Sequence, residues 1–187
     1  MAATHSTMLP LGTQAPDFKL PDTISGNTLS LQDLKGERGT LVLFICNHCP
    51  YVLHVKAQLI AIARQYAPMG IASIAISAND IQNYPQDGPD NMRQLMIEWG
   101  NPFLAYLYDE TQAVAKAYQA ACTPDIYLFD AELSCVYRGR LDASTPKNDI
   151  PLTGEDLRRA LDALLTGRAI DSGQIPSVGC NIKWKAE

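Results

Sequence analysis

The stretch Thr40-Leu41-Val42-Leu43-Phe44-Ile45-Cys46-Asn47-His48-Cys49-Pro50 decides the fold. Its first six residues are continuously apolar and rich in strand formers, which predicts a strand buried on both faces of a parallel sheet and ending at Cys46. From 47 to 66 the period changes: Val52, Val55, Leu59, Ile62 and Tyr66 recur at three- and four-residue spacing, with Lys56, Gln58, Arg64 and Gln65 on the other faces. That is an amphipathic helix, stopped by Pro68 and Gly70. Ile71–Ser77 is a second buried strand, and the order strand, helix, strand implies a right-handed parallel crossover and an α/β fold.

Working outward, residues 15–31 alternate on either side of Ser25-Gly26-Asn27 and read as a β-hairpin, followed by a polar bend through Gly36 and Gly39. Residues 79–90 are dense in turn formers and lead into a helix near Asn91–Trp99, which makes them a border of the strand ends. Phe103–Leu107 reads as a strand and Thr111–Gln119 as a helix with Ala113, Val114 and Ala117 inward. Asp125–Phe129 and Ser134–Arg140 read as a hairpin, and 142–154 as a loop. Gly154–Leu165 is a last amphipathic helix on Leu157, Leu161, Leu164 and Leu165, with Thr153 as N-cap and Asp156 three residues on. The tail, 167–187, shows no period, and there is no internal repeat.

Composition fits this picture. With 187 residues, 47% of them hydrophobic and 19% charged, the chain suits one globular domain spanning 1–187, with a core over about 12–166 and a tail beyond. A net charge of −5 and no basic run exclude the electrostatic footprint of nucleic-acid binding. No stretch approaches the ~18–20 apolar residues of a membrane span, and Met1 to Leu11 lacks the apolar core of a signal peptide. Five cysteines are too few for a disulfide-stapled scaffold, and an odd count leaves a thiol unpaired. A reducing compartment, the cytoplasm, is expected.

The position of Cys46-Asn47-His48-Cys49, between strand and helix, gives the motif its chemistry. A helix N-terminus offers unpaired N–H groups and a partial positive charge. Cys46, expected there, should be the more acidic thiol, below the ~8.5 of a free cysteine. Cys49, three residues on, lies on the same side and can close a disulfide with it. Pro50 is tolerated in a first helical turn. Half of a zinc site is the competing reading, but four ligands are needed and the sequence has no second CxxC and no HxxxH pair.

This strand-CxxC-helix unit, with Thr123-Pro124 ahead of the strand Asp125–Phe129, resembles the thioredoxin-like superfamily over most of the chain. Within it, Ala15-Pro16-Asp17-Phe18, Phe44 to Pro50, Cys122-Thr123-Pro124-Asp125 and Ser177 to Trp184 are similar to the peroxiredoxin-like branch of the alkyl hydroperoxide reductase and thiol-specific antioxidant group. The resemblance implies a central mixed sheet with helices on both faces, an N-terminal hairpin extension, a C-terminal tail, and a cis Thr123-Pro124 bond packed against the CxxC. In a thioredoxin-type mechanism it implies that Cys46 attacks a substrate disulfide and Cys49 resolves the mixed disulfide. In a peroxiredoxin-type mechanism Cys49 aligns with the peroxidatic cysteine of a Pro-x-x-x-Thr-x-x-Cys motif. Here Cys46 stands at the Thr position and Val42 at the Pro position, so the hydroxyl that orients a peroxide is missing.

Around the pair, His48 can tune the couple through its charge, while Asn47 and Pro50 shape the start of the helix. The turn-rich loop 79–90 follows the second parallel strand, and Asp80, close to that strand's end, is a candidate proton shuttle by likeness to related reductases, against the plainer reading of a turn residue. The buried Asp that thioredoxins carry six residues before the first Cys is replaced by Thr40. Cys122, two residues before Pro124, and Cys180, in the tail, are candidate further redox thiols, whereas Cys135 reads as structural. Arg138 and Arg140 share one strand face and could neutralise a thiolate, though a solvated edge is the simpler role. The resulting expectation is a thiol-disulfide oxidoreductase with no cofactor or metal. It would act on protein or small-molecule disulfides, with a dithiol reductant to recycle it and no nucleic-acid or membrane partner. A thiol peroxidase acting on peroxides through Cys49 is the alternative enzyme, and a redox-sensing binding module the non-catalytic one.

Overall fold

The chain enters through three short strands, Ala3–His5 (β1), Lys19–Pro21 (β2) and Thr28–Ser30 (β3). The last two pair antiparallel, Lys19 opposite Ser30, with Gly26 at φ +75° making the turn that the sequence predicts. Ser30 then caps helix Leu31–Leu34 (α1) in a reciprocal box: its hydroxyl accepts from Asp33 N (3.2 Å) and the Asp33 carboxylate accepts from Ser30 N (2.8 Å). The structure, a computed structural model, describes residues 3–186; Met1 and Ala2 of the N-terminal stretch and Glu187 of the tail lie outside the described residues.

Strand Gly39–Phe44 (β4), helix Pro50–Tyr66 (α2), strand Ile71–Ser77 (β5), helix Pro89–Glu98 (α3) and strand Ala105–Tyr108 (β6) follow as two parallel crossover units. Helix Ala113–Ala117 (α4) and the two-residue strand Cys122–Thr123 (β7) lead to the antiparallel pair Asp125–Asp130 (β8) and Cys135–Arg138 (β9). Helix Glu155–Leu165 (α5) and strand Val178–Asn181 (β10) end the chain. The central sheet has the order β6-β5-β4-β8-β9, with β4 parallel to β5 and antiparallel to β8, so it is mixed.

Period-two alternation sends each strand's side chains to opposite faces. Leu41, Leu43, Ile126 and Leu128 meet Val52, Val55, Leu59 and Ile62 of α2, together with α3 and α5. Val42, Phe44, Ile74, Ile76, Tyr127 and Phe129 meet Phe18, Leu20, Leu31 and Tyr118 on the other side. Each such side chain contributes about 1.5–3 kcal/mol by leaving water, which is why β4, in the centre, is buried at every position.

Three expectations change. Helix α4 is shorter than 111–119 and turns Ala115 inward, with Tyr118 following, while Ala113 and Ala117 face solvent and Val114 is half-buried. Thr153 does not cap α5: Gly154, at φ +71°, is its N-cap, and Thr153 N and Gly154 N both donate to the buried Asp142 carboxylate (2.7 and 2.5 Å). The tail is not without structure. Strand β10 lies between β1 and β7 in a second, three-stranded sheet, with Cys180 opposite both Ala3 and Thr123. Beyond it Ile182 N donates to Ala121 O (3.1 Å), Asp80 N to Lys183 O (2.8 Å) and Lys183 N to Asn79 Oδ1 (2.8 Å). Among the described residues no helix is long and apolar enough to cross a membrane.

Candidate active site

Strand β4 delivers its chain to the carboxyl end of the parallel strands, where Ile45 N still donates to Ile76 O (3.0 Å). Such ends border the ligand crevice of open α/β sheets. Asn47 and His48 then form a bend, and the helix starts later than the apolar spacing predicts, at Pro50, whose missing N–H is not needed at a first helical position. Cys49, with extended backbone, is therefore the N-cap, and its carbonyl accepts from Leu53 N (3.0 Å). This corrects the expectation that Cys46 holds that place.

Both thiols are buried, Cys46 1% and Cys49 0% exposed. They meet at Thr123. Cys46 Sγ lies 3.5 Å from Thr123 Oγ1, and the Cys49 thiol donates to Thr123 O (3.0 Å). The Thr123-Pro124 bond that follows is cis, as the resemblance implies. When the pair loses one proton, the charge settles on Cys49. The Cys46 thiol, the Thr123 hydroxyl, the Cys180 thiol and the Val52 N–H stabilise its thiolate, and they bring Cys49 down to about 5 against the opposing effect of burial. Cys46 moves the other way, raised by the influence of the Cys49 thiol, by burial and by the carboxylate of Asp87. Placement favours the charge on Cys49 where the sequence favoured Cys46: Cys49 has the helix terminus and the donors, Cys46 has the neighbouring anion.

Asp87 is the residue that sequence reasoning missed. It ends a short 3-10 turn, Pro85–Asp87, in the loop 79–90, and is fully buried. Asn47 N donates to its Oδ1 (2.9 Å) and Asn79 Nδ2 to its Oδ2 (2.8 Å). His48 Nδ1 stands 2.7 Å from the same Oδ2, an ion-pair distance, but lies off the direction of an in-line hydrogen bond. Cys46, His48 and Asp87 offer sulfur, nitrogen and oxygen atoms all within 4.8 Å of one another, the kind of donor set that suits a borderline-soft ion, although the carboxylate is already engaged by three protein groups. Tyr84 stacks on the His48 ring (centroids 5.8 Å apart, 6° between planes), Lys183 Nζ sits 5.6 Å from the Tyr84 ring centre, and Tyr106 donates to Asn47 Oδ1 (3.2 Å). Loop 79–90 and the tail together roof the pair.

Asp80 is elsewhere engaged. Its oxygens accept from Gln82 N (3.0 Å) and Asn83 Nδ2 (2.6 Å), closing a turn, and the Asn83 bond is the main reason its carboxyl is held below the ordinary value. The one signal for Asp87 was indirect: Thr40, whose hydroxyl accepts from Gly36 N (3.1 Å), left the buried-acid position vacant. Cys122 is buried and turned to Pro124 O (3.5 Å), and burial holds its thiol well above the usual range. Cys135, also buried, lies in the opposite core and is pushed up to about 11 by burial. Arg138 binds Leu9 O (2.7 Å) and Gln174 Oε1 (2.8 Å), and Arg140 pairs with Asp156 (2.7 Å), so neither faces the thiols.

Comparison with known proteins agrees with this geometry. A structure of an uncharacterized conserved protein from Geobacillus kaustophilus is similar over 100% of this chain and 98% of its own, with 55% identity and a TM-score of 0.97. The thioredoxin domain of a thiol-disulfide oxidoreductase from Bacteroides vulgatus shares the fold over 70% of this chain and 89% of its own, at 22% identity and a TM-score of 0.58. The thiol:disulfide interchange protein DsbE of Allochromatium vinosum is 26% identical over 118 residues, a match that spans 63% of this chain and 60% of that protein's length. The fold is thioredoxin-like, and at family level the function is thiol-based redox chemistry, by disulfide exchange or by peroxide reduction. Residues 11–138, which carry the hairpin, the CxxC and the Thr123-Pro124 loop, match the AhpC/TSA family, and this chain belongs to it.

Proposed function

We propose that the protein is a thiol-disulfide oxidoreductase working through the Cys46–Cys49 pair. One observation carries this reading: two buried thiols share one residue, Thr123, as hydrogen-bond partner, and their acidities are driven apart so that one proton serves both. Cys46 is the attacking sulfur, because it adjoins half-buried Asn47 and His48 while Cys49 is turned inward to Thr123 O. The Cys49 thiolate takes the Cys46 proton as Cys46 bonds to one sulfur of the substrate disulfide and the other sulfur leaves as a thiolate. His48, paired with Asp87, stands beside Cys46 to protonate that leaving group. Cys49 then attacks Cys46, releasing the second substrate thiol and leaving the protein disulfide. Substrates are protein or small-molecule disulfides, and a dithiol reductant restores the pair. Five cysteines fit a reducing, cytoplasmic setting.

Trapping tests it. Cys49→Ser, which removes the resolving sulfur, should accumulate a mixed disulfide through Cys46, and Cys46→Ser should not; equal failure of both variants to capture a disulfide substrate sinks the reading. A second reading, a thiol peroxidase, is favoured by the raised acidity of Cys49 at the family's peroxidatic position. Stoichiometric peroxide consumption that survives Cys46→Ser and is lost in Cys49→Ser would establish it instead.

A further inference from the structure

A third thiol faces the pair. Strand β10 runs antiparallel to β7 with Cys180 directly opposite Thr123. Directly opposed residues share a face with Cβ atoms about 4.5–5.5 Å apart, and neighbours along a strand point to opposite faces. Cys180 therefore projects to the side on which Thr123 Oγ1 meets Cys46, while Cys122, next to Thr123, projects away and bonds Pro124 O. Cys46, Cys49 and Cys180 lie in one buried cluster, with Cys180 4% exposed. Gly179 permits this closeness: a Cβ there would stand 2.0 Å from Thr123 O, the carbonyl that Cys49 bonds. The packing of α2 against β10 holds Cys180 near the helix start, where its thiol is one of the groups that favour the Cys49 thiolate. The segment also occupies the backbone edge of Thr123, which an extended segment from another molecule would otherwise use for strand pairing beside the sulfurs.

We propose that Cys180 is a third redox thiol of the active site, exchanging with the Cys46–Cys49 disulfide to form a Cys49–Cys180 disulfide that frees Cys46. This rests on the dithiol reading above and extends it. In the step, Cys180 sulfur bonds to Cys49 sulfur, the Cys46–Cys49 bond breaks, and Cys46 leaves as a thiolate that takes up the proton Cys180 gave. Two thiols' worth of oxidation moves from one pair to the next, so no further oxidant is consumed. The freed Cys46 can then meet a second disulfide while the tail is tied to the helix start.

The test maps disulfides in the full chain. Wild-type protein, Cys46→Ser and Cys180→Ser are oxidised with excess oxidised glutathione, quenched in acid, unfolded, alkylated, digested and analysed by mass spectrometry, with Cys122→Ser as a control for position. The expected result is both Cys46–Cys49 and Cys49–Cys180 peptides from the wild type and from Cys122→Ser, Cys49–Cys180 as the main product in Cys46→Ser, and Cys46–Cys49 alone in Cys180→Ser. Recovery of Cys180 fully alkylated in the wild type, with Cys46–Cys49 formed, overturns the proposal and leaves the dithiol reading intact. The wild-type arm decides this even if a variant fails to fold. Absence of the Cys46–Cys49 peptide from every sample sinks the dithiol reading itself.

Discussion

Asp87 adds its charge to the effects that keep the proton on Cys46. A carboxylate that is fully buried is maintained by its partners: Asn47 N and Asn79 Nδ2 donate to it and His48 stands at ion-pair distance. Its charge then bears on Cys46 through a medium of low dielectric, where an anion disfavours a second anion. Asp87→Asn keeps the volume and removes the charge. The expected outcome is a Cys46 thiol more acidic by on the order of one pH unit, equivalent to about 1.4 kcal/mol, read as thiolate ultraviolet absorbance in a Cys49→Ser background. The same substitution turns an amide nitrogen toward Asn79 Nδ2 or His48, a loss of about 1–3 kcal/mol in stability. A Cys46 titration unmoved by Asp87→Asn would show that burial, and not this carboxylate, holds the proton on Cys46.

At the scale of elements, the decisive contact is between two short strands. Strands β7 and β10 have two and four residues, too few for either to be stable alone, and they hold because β1 pairs the far edge and Ile182 and Lys183 continue the bonding. Gly179 is the hinge of that arrangement. Gly179→Ala places a carbon 2.0 Å from Thr123 O and 2.6 Å from Thr123 C, and both are backbone atoms that cannot rotate away. Strand β10 must lift, at a cost of about 1–3 kcal/mol or more. The expected outcome is a lower Tm together with faster alkylation of Cys180 in the folded protein. An unchanged Tm with Cys180 still protected would contradict the register that places it opposite Thr123.

For the whole molecule, the split acidities become a dependence of stability on pH. In the unfolded chain each cysteine keeps its proton up to about its ordinary value of 9.0, whereas native Cys49 has lost its own above about 5. Between those values the unfolded state binds more protons, so the stability of the reduced protein rises with pH across this window. The contribution is complete above 9.0 and vanishes as pH falls through about 5. Cys46, held protonated in the native state, acts oppositely above its ordinary value and bends the curve down again. Asp125, pushed up to about 6 by burial, lowers stability as pH rises from its ordinary 3.8, in reduced and mutant protein alike. Denaturant melts of reduced wild type and Cys49→Ser should therefore diverge as pH rises above about 5, wild type gaining. Parallel curves would mean that Cys49 is not the acidic thiol.

Periodicity and motif together made the frame legible. The apolar run at 40–45, the change to helical spacing after Pro50 and the Thr123-Pro124 dipeptide established the parallel unit, the CxxC at its end and the loop beside it, because burial on a strand or helix leaves its period in the chain. Position within the site left no such mark. Whether Cys46 or Cys49 caps α2 depends on two bend residues, Asn47 and His48, whose conformation is fixed by Asp87 and Gln86, about forty positions away. One Asp of a turn-rich loop looks like another in sequence, so Asp80 and Asp87 were distinguished only by burial and partners. A four-residue strand is too short to show a period, so the tail read as irregular until pairing with β1 and β7 brought Cys180 to the pair. Local pattern was enough for the fold class and for singling out the CxxC pair as the candidate dithiol. Which acid stands beside the pair and which third thiol it meets came only from the tertiary structure, because those depend on contacts between segments that no local pattern encodes.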